Sequence, residues 1–151
     1  MSWIDPETGS LGLPAGQTIG PADSPANAAE ACARAGLAMA APAFAGAPAV
    51  VPGVPCGTGA VHLELRFARR LRAAHLYIER DGETPGPALT RAQQQDFYTR
   101  MLDGAFLAAA DASGQGFAFP WGRVAFWLDD RAGVYWLTIH YGGQNHDASN
   151  A

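Results

Sequence analysis

The sequence predicts an α+β fold: an antiparallel sheet of four or more strands with two helices packed on one face, in the order helix, hairpin, helix, hairpin. Two observations carry this expectation. Alternating apolar runs at 61–79 and 121–141 are each broken by a short polar turn, and each is preceded by a helix-start signal, at Ser24-Pro25 and at Thr90. With 151 residues, 48% of them hydrophobic, one core is the expectation. Glycines and prolines crowd the first sixty positions, so a single α+β domain over 1–151 is expected to carry an irregular N-terminal segment (about 1–60) and a disordered tail (about 143–151).

Ser24 can cap free amides and Pro25 suits a first helical turn, so a helix over Ala26–Ala35 stops at Gly36. The Ala/Pro/Val stretch from Leu37 to Val54 is broken by Pro42, Pro48 and Pro52, which interrupt any membrane helix. Val61, Leu63, Leu65 and Phe67 then alternate with His62, Glu64 and Arg66, and Leu71–Glu79 answers them across Arg69-Arg70. A continuous apolar face needs Ala74, Leu76 and Ile78 on the same side, which sets Glu64 opposite His75, beside His62 and Tyr77. Asp81-Gly82 and Pro85-Gly86-Pro87 end this unit.

The second unit repeats the order without sequence identity. Thr90 and Gln93 have capping-box spacing, and Phe97, Met101, Ala105 and Phe106, with Leu102, make an apolar helical stripe as far as Ala110. Ser113-Gly-Gln-Gly116 breaks it, and Phe117–Pro120 is a candidate edge strand. The hairpin that follows runs Trp121–Leu128, Asp129–Gly133, Val134–Tyr141. With Gly133 left-handed at the close of the loop, Leu128 pairs with Gly133 and Phe126 with Tyr135. One face then holds Val124, Phe126, Leu128, Tyr135, Leu137, Ile139 and Tyr141, against which the second helix is expected to pack. The other holds Arg123, Ala125, Trp127, Val134, Trp136, Thr138 and His140.

Composition excludes some functions. A formal charge of -4 opposes a general nucleic-acid binder, since phosphate neutralisation needs a basic face. All ten basic residues are arginine, which fits a GC-rich bacterial coding sequence, and the cluster Arg66, Arg69, Arg70 and Arg72 reads as a solvated hairpin tip. The N-terminus has neither a basic region nor an apolar run, so no signal peptide is visible and a cytoplasmic location is expected. Cys32 and Cys56 lack CxxC spacing and are read as two buried thiols or as one disulfide in an oxidising compartment.

Chemistry is weakly signalled. Glu64 and His75 form a candidate acid–imidazole pair, competing with the reading of a solvent-facing cross-strand pair. Cys56, in Pro-Cys-Gly-Thr-Gly, is a candidate nucleophile with no base legible beside it, and the loop lacks the Gly-Lys-Ser/Thr ending of a phosphate loop. His62, His75, His140 and His146, with Asp147, match no metal-site spacing, so no metal and no cofactor are expected.

The aromatic side of the second hairpin is the strongest candidate. Arg123, Trp127, Trp136, Thr138 and His140 share it, and tryptophan and arginine dominate interface energetics. The competing reading has the N-terminal segment fold over this face, anchored by Trp3 and Ile4. In genre the chain is similar to the small, motif-free α+β proteins that bacteria use as binding partners, including neutralising (immunity-type) partners of secreted toxins, a likeness of size and missing catalytic signature that transfers no residue roles. The expected function is thus a non-catalytic protein-binding module using this face toward a protein partner or a second copy, without nucleic acid or membrane. The alternatives are a small enzyme using Cys56 or Glu64/His75 and a small-ligand-binding protein.

Overall fold

Alternation of apolar and polar residues builds the middle of the molecule, seen in a computed structural model that describes residues 3–57, 59–81, 89–101, 111–113, 116–129, 131 and 133–142. After three earlier strands, β1 (Leu11–Gly12), β2 (Thr18–Ile19) and β3 (Ala49–Cys56), strands β4 (Gly59–Phe67) and β5 (Leu71–Asp81) form an antiparallel hairpin. Its register is Leu63↔Leu76, Glu64↔His75 and His62↔Tyr77, so the face argument of the sequence is met. Strands β8 (Gly122–Asp129) and β9 (Val134–Tyr141) form the second hairpin. Gly133 takes φ +66° and donates to the Asp129 carbonyl at 2.8 Å, as a left-handed loop-closing residue does. The loop closes on Asp129↔Val134, which pairs Leu128 with Tyr135 and Phe126 with Leu137. The expected pairing of Leu128 with Gly133 is corrected by two positions along β9. An even slip leaves every residue on its face and sets Trp127 directly opposite Trp136.

The two hairpins join. β5 pairs antiparallel with β9 through His75↔Thr138 and Tyr77↔Trp136, giving a seven-stranded sheet of order β3-β4-β5-β9-β8-β7-β6. Strand β3 (Ala49–Cys56) lies at one edge, where the missing amides of Pro52 and Pro55 cost least. Its bulge between Val51 and Val54 carries Gly53 at φ +65°, and the Gly53 amide donates to Glu79 Oε2 at 2.9 Å. Strand β7 (Gly116–Phe119) is not the edge, because β6 (Asp111–Ser113) pairs outside it.

The expected layer of two helices on one face, in helix–hairpin–helix–hairpin order, is not what forms. The protein is mostly antiparallel sheet with two short helices among the described residues. Helix α1 (Pro25–Arg34), capped by Ser24 Oγ accepting from the Asn27 amide at 3.2 Å, lies against a small N-terminal sheet. That sheet pairs β1 (Leu11–Gly12) with β2 (Thr18–Ile19) around a 3-10 turn at Pro14–Gly16. Helix α2 (Arg91–Met101) crosses β9 and β5, and the stripe residues Leu102, Ala105 and Phe106 lie outside the described residues, as does the tail from 143. Strands β1 and β2 are too short for local periodicity to reveal them, and Pro52, Gly53 and Pro55 break the alternation that would mark β3 as the partner of β4 through Ala49↔Leu65 and Val51↔Leu63.

Helix α2 completes the sheet. Thr90 and Gln93 form the reciprocal capping box, at 2.9 and 3.2 Å. Where β5–β9 pairing ends at Trp136, buried Gln94 accepts the Tyr135 amide at 2.9 Å and donates to the Gly133 carbonyl at 2.9 Å, and Tyr98 Oη donates to the Tyr135 carbonyl at 2.7 Å. Backbone groups left over by the diverging strand are thereby satisfied. Phe97 and Met101 enter the core beside Tyr98.

The N-terminal segment covers the core side of the sheet. Ile4, Leu11, Ile19, Ala28 and Cys32 are fully buried in one cluster with Val51, Leu63, Leu65, Leu76, Val124, Leu137 and Ile139. Trp121 Nε1 donates to the Pro6 carbonyl at 2.9 Å, and Tyr141 Oη to the Gly9 carbonyl at 2.7 Å. Gly9, at φ +78°, admits the Trp121 ring so closely that a Cβ there would lie 2.5 Å from it. Among the described residues no helix is long and apolar enough to cross a membrane.

Candidate protein-binding face

Because the core takes the residues of one parity, the other parity shares the opposite face of a continuous sheet, and the β5–β9 seam brings the polar side of the first hairpin beside the aromatic side of the second. Three rows cross it in register. One runs His62, Tyr77, Trp136, Trp127; the next Glu64, His75, Thr138, Ala125; the third Arg66, Ala73, His140, Arg123.

Contacts along these rows are specific. The His62 ring stacks on Tyr77 with centroids 4.6 Å apart, and Tyr77 meets Trp136 edge-on at 4.8 Å. His75 and His140 meet edge-on at 5.8 Å. His62 Nε2 lies 3.2 Å from Glu64 Oε2, and its Nδ1 3.8 Å from Glu79 Oε1. Thr138 Oγ1 donates to the Ala125 carbonyl at 3.2 Å, which turns the hydroxyl to its own sheet. Trp136 and Tyr77 are half-buried, whereas Arg66, Arg123 and His140 are exposed.

All five residues that the sequence assigned to this face, Arg123, Trp127, Trp136, Thr138 and His140, stand on it in register, with Trp127 described by its backbone position. Sequence reasoning had Tyr77, His62, Glu64 and His75 on the polar side of a separate hairpin. Nothing local signals that β5 and β9 are neighbours, though the two polar sides had matching aromatic and histidine content.

The two candidate catalytic groups have the following surroundings. Glu64 stands opposite His75 in register, as expected, and its carboxylate lies against His62. Cys56 is buried, and burial pushes its thiol up to about 12, so a thiolate is strongly disfavoured. Cys32 and Cys56 are both free and buried. Among the described residues, no group of three or more His, Cys, Asp or Glu side chains is arranged to hold a metal ion.

His75 makes stability pH-dependent. Burial, then the neighbouring charges of His140 and Arg66, hold its imidazole below the usual 6.5, against a weaker opposite pull from Glu64. The unfolded chain therefore takes up this proton before the folded one, so the contribution is full at pH 7.5 and declines as pH falls through 6.5 toward the lower folded value. The thermal midpoint of the wild type is expected to fall more between pH 7.5 and 5.5 than that of His75→Gln, and parallel profiles would refute the assignment.

No family model matches the sequence, and no curated protein matches it. The fold recurs in a solved structure. A chain of "Rhs1-CT in complex with cognate immunity protein RhsI1" is similar over 93% of this chain and 87% of that chain, with a TM-score of 0.52 and 14% sequence identity. At that identity the likeness is one of fold.

Proposed function

We propose that this chain is a non-catalytic protein-binding module, an immunity-type partner that neutralises a toxin domain by seating it on the outer face of the sheet. The observation that carries the reading is the side on which the N-terminal segment lies. It covers the core face through Ile4, Leu11 and Ile19, so among the described residues the His62–Tyr77–Trp136 row lies on the side opposite that cover. Grouped aromatic side chains on an uncovered sheet face mark partner sites. The fold likeness to a chain of a toxin–immunity complex supports the same class.

The test is capture from the source organism by the immobilised full chain, beside a Trp136→Ala variant. A toxin domain held by the wild type and released by the variant is the expected result. Substrate turnover by the purified chain that Cys56→Ser or Glu64→Gln abolishes would overturn the proposal in favour of an enzyme.

A further inference from the structure

Charge on the outer face is unevenly engaged. Glu64 and Glu79 both lie against His62, and Glu79 also accepts the Gly53 amide, so the two carboxylates have partners within the chain. The opposite end differs. In the row Arg66, Ala73, His140, Arg123, the Arg123 side chain is exposed and makes no hydrogen bond or ion pair among the described residues. Arg66 Nη1 donates to the Gly46 carbonyl at 2.9 Å, which positions the guanidinium without neutralising it. His140, within the row, meets His75 of the neighbouring row edge-on, and the two rings add donors and no anion. A chain whose formal charge is -4 therefore presents a cationic strip on its aromatic face.

Resting on the reading of this face as a protein-binding surface, we infer that the partner contributes an acidic segment carrying an aromatic side chain. Its carboxylates lie on Arg66, His140 and Arg123, where charge-assisted hydrogen bonds supply what the chain itself does not, and its ring packs on Tyr77 and Trp136. His140 and Trp136 are four residues apart on β9, so acid and ring stand about 13 Å apart along the strand direction. That separation suits an extended segment laid along β9.

The probe is a fluorescent Glu/Tyr random copolymer titrated into the full chain, with a Lys/Tyr copolymer and single-stranded oligo-dT as comparators. The Glu/Tyr polymer is expected to bind, to weaken between 20 and 200 mM salt, and to lose about five-fold or more on Arg123→Glu, while the Lys/Tyr polymer does not bind. Arg123→Gln, which matches the glutamate variant in size but carries no charge, is expected to fall between the two and guards against a folding defect in the charge reversal. Equal binding of the Lys/Tyr polymer, no binding of the Glu/Tyr polymer, or indifference to Arg123→Glu overturns the inference. Oligo-dT binding as tightly with the same Arg123 dependence overturns it in favour of a phosphate-binding strip. A captured protein released by Trp136→Ala yet indifferent to Arg123→Glu overturns the acidic partner and leaves the protein-binding module standing.

Discussion

Truncating Trp136 to alanine is expected to weaken partner binding by about thirty-fold or more while the chain stays folded. The indole stands in the aromatic row of the outer face, edge-on to Tyr77 at 4.8 Å and opposite Trp127 in register, away from the apolar cluster that holds the fold together. Two tryptophans and a tyrosine desolvated together are the composition of a hot spot, where one large truncation removes about 2 kcal/mol or more. The thermal midpoint is expected to fall by only a few degrees, since the variant loses one edge contact and no core volume. Acrylamide quenching separates the alternatives: the difference between wild type and Trp136→Phe isolates this indole from Trp3, Trp121 and Trp127, and it should be quenched in the free chain and protected in the complex. An indole already protected in the free chain, together with a collapsed melting temperature, would make Trp136 a structural residue and remove it from the interface.

The largest stability effect is expected at the next position. Leu137 is fully buried, flanked in register by Leu76 of β5 and Phe126 of β8, on the same face as Ile139 and Val124. Leu137→Ala should cost about 2 to 5 kcal/mol, from lost transfer energy and the cavity left in a central strand that cannot collapse. Urea denaturation measures it. A loss below about 1 kcal/mol would mean that the two faces are assigned the wrong way round. Adjacent residues on one strand are thus expected to respond oppositely: position 136 in binding, position 137 in stability, because alternate side chains point to opposite faces.

Several elements were legible because their causes are local. The Thr90/Gln93 capping box, the Ser24-Pro25 helix start and the left-handed Gly133 rest on side chains a few positions apart, and each stands in the fold as read. Hairpin faces were legible because a strand's period is two, so even the wrong partner for Leu128 left Trp136 on the correct side. The expected layer of two helices on one face, in helix–hairpin–helix–hairpin order, failed for the complementary reason. Leu11↔Ile19 joins two very short strands, Ala49↔Leu65 belongs to a strand whose alternation Pro52 and Pro55 interrupt, and His75↔Thr138 spans a long separation, so none of them is marked by a run of residues that a pattern detects.

By itself the sequence determined the alternation that divides each hairpin into an apolar and an aromatic side, the caps that start both helices, and the membership of Arg123, Trp127, Trp136, Thr138 and His140 in one surface. Only the tertiary structure decided that β5 lies against β9, which adds His62, Glu64, His75 and Tyr77 to that surface, and that the N-terminal segment covers the other one. The physical reason is that side-chain parity is a property of each strand alone. Which strands become neighbours, and which face the remaining chain covers, depends on burying Ile4, Leu11 and Ile19 against Leu137 and Ile139 all at once.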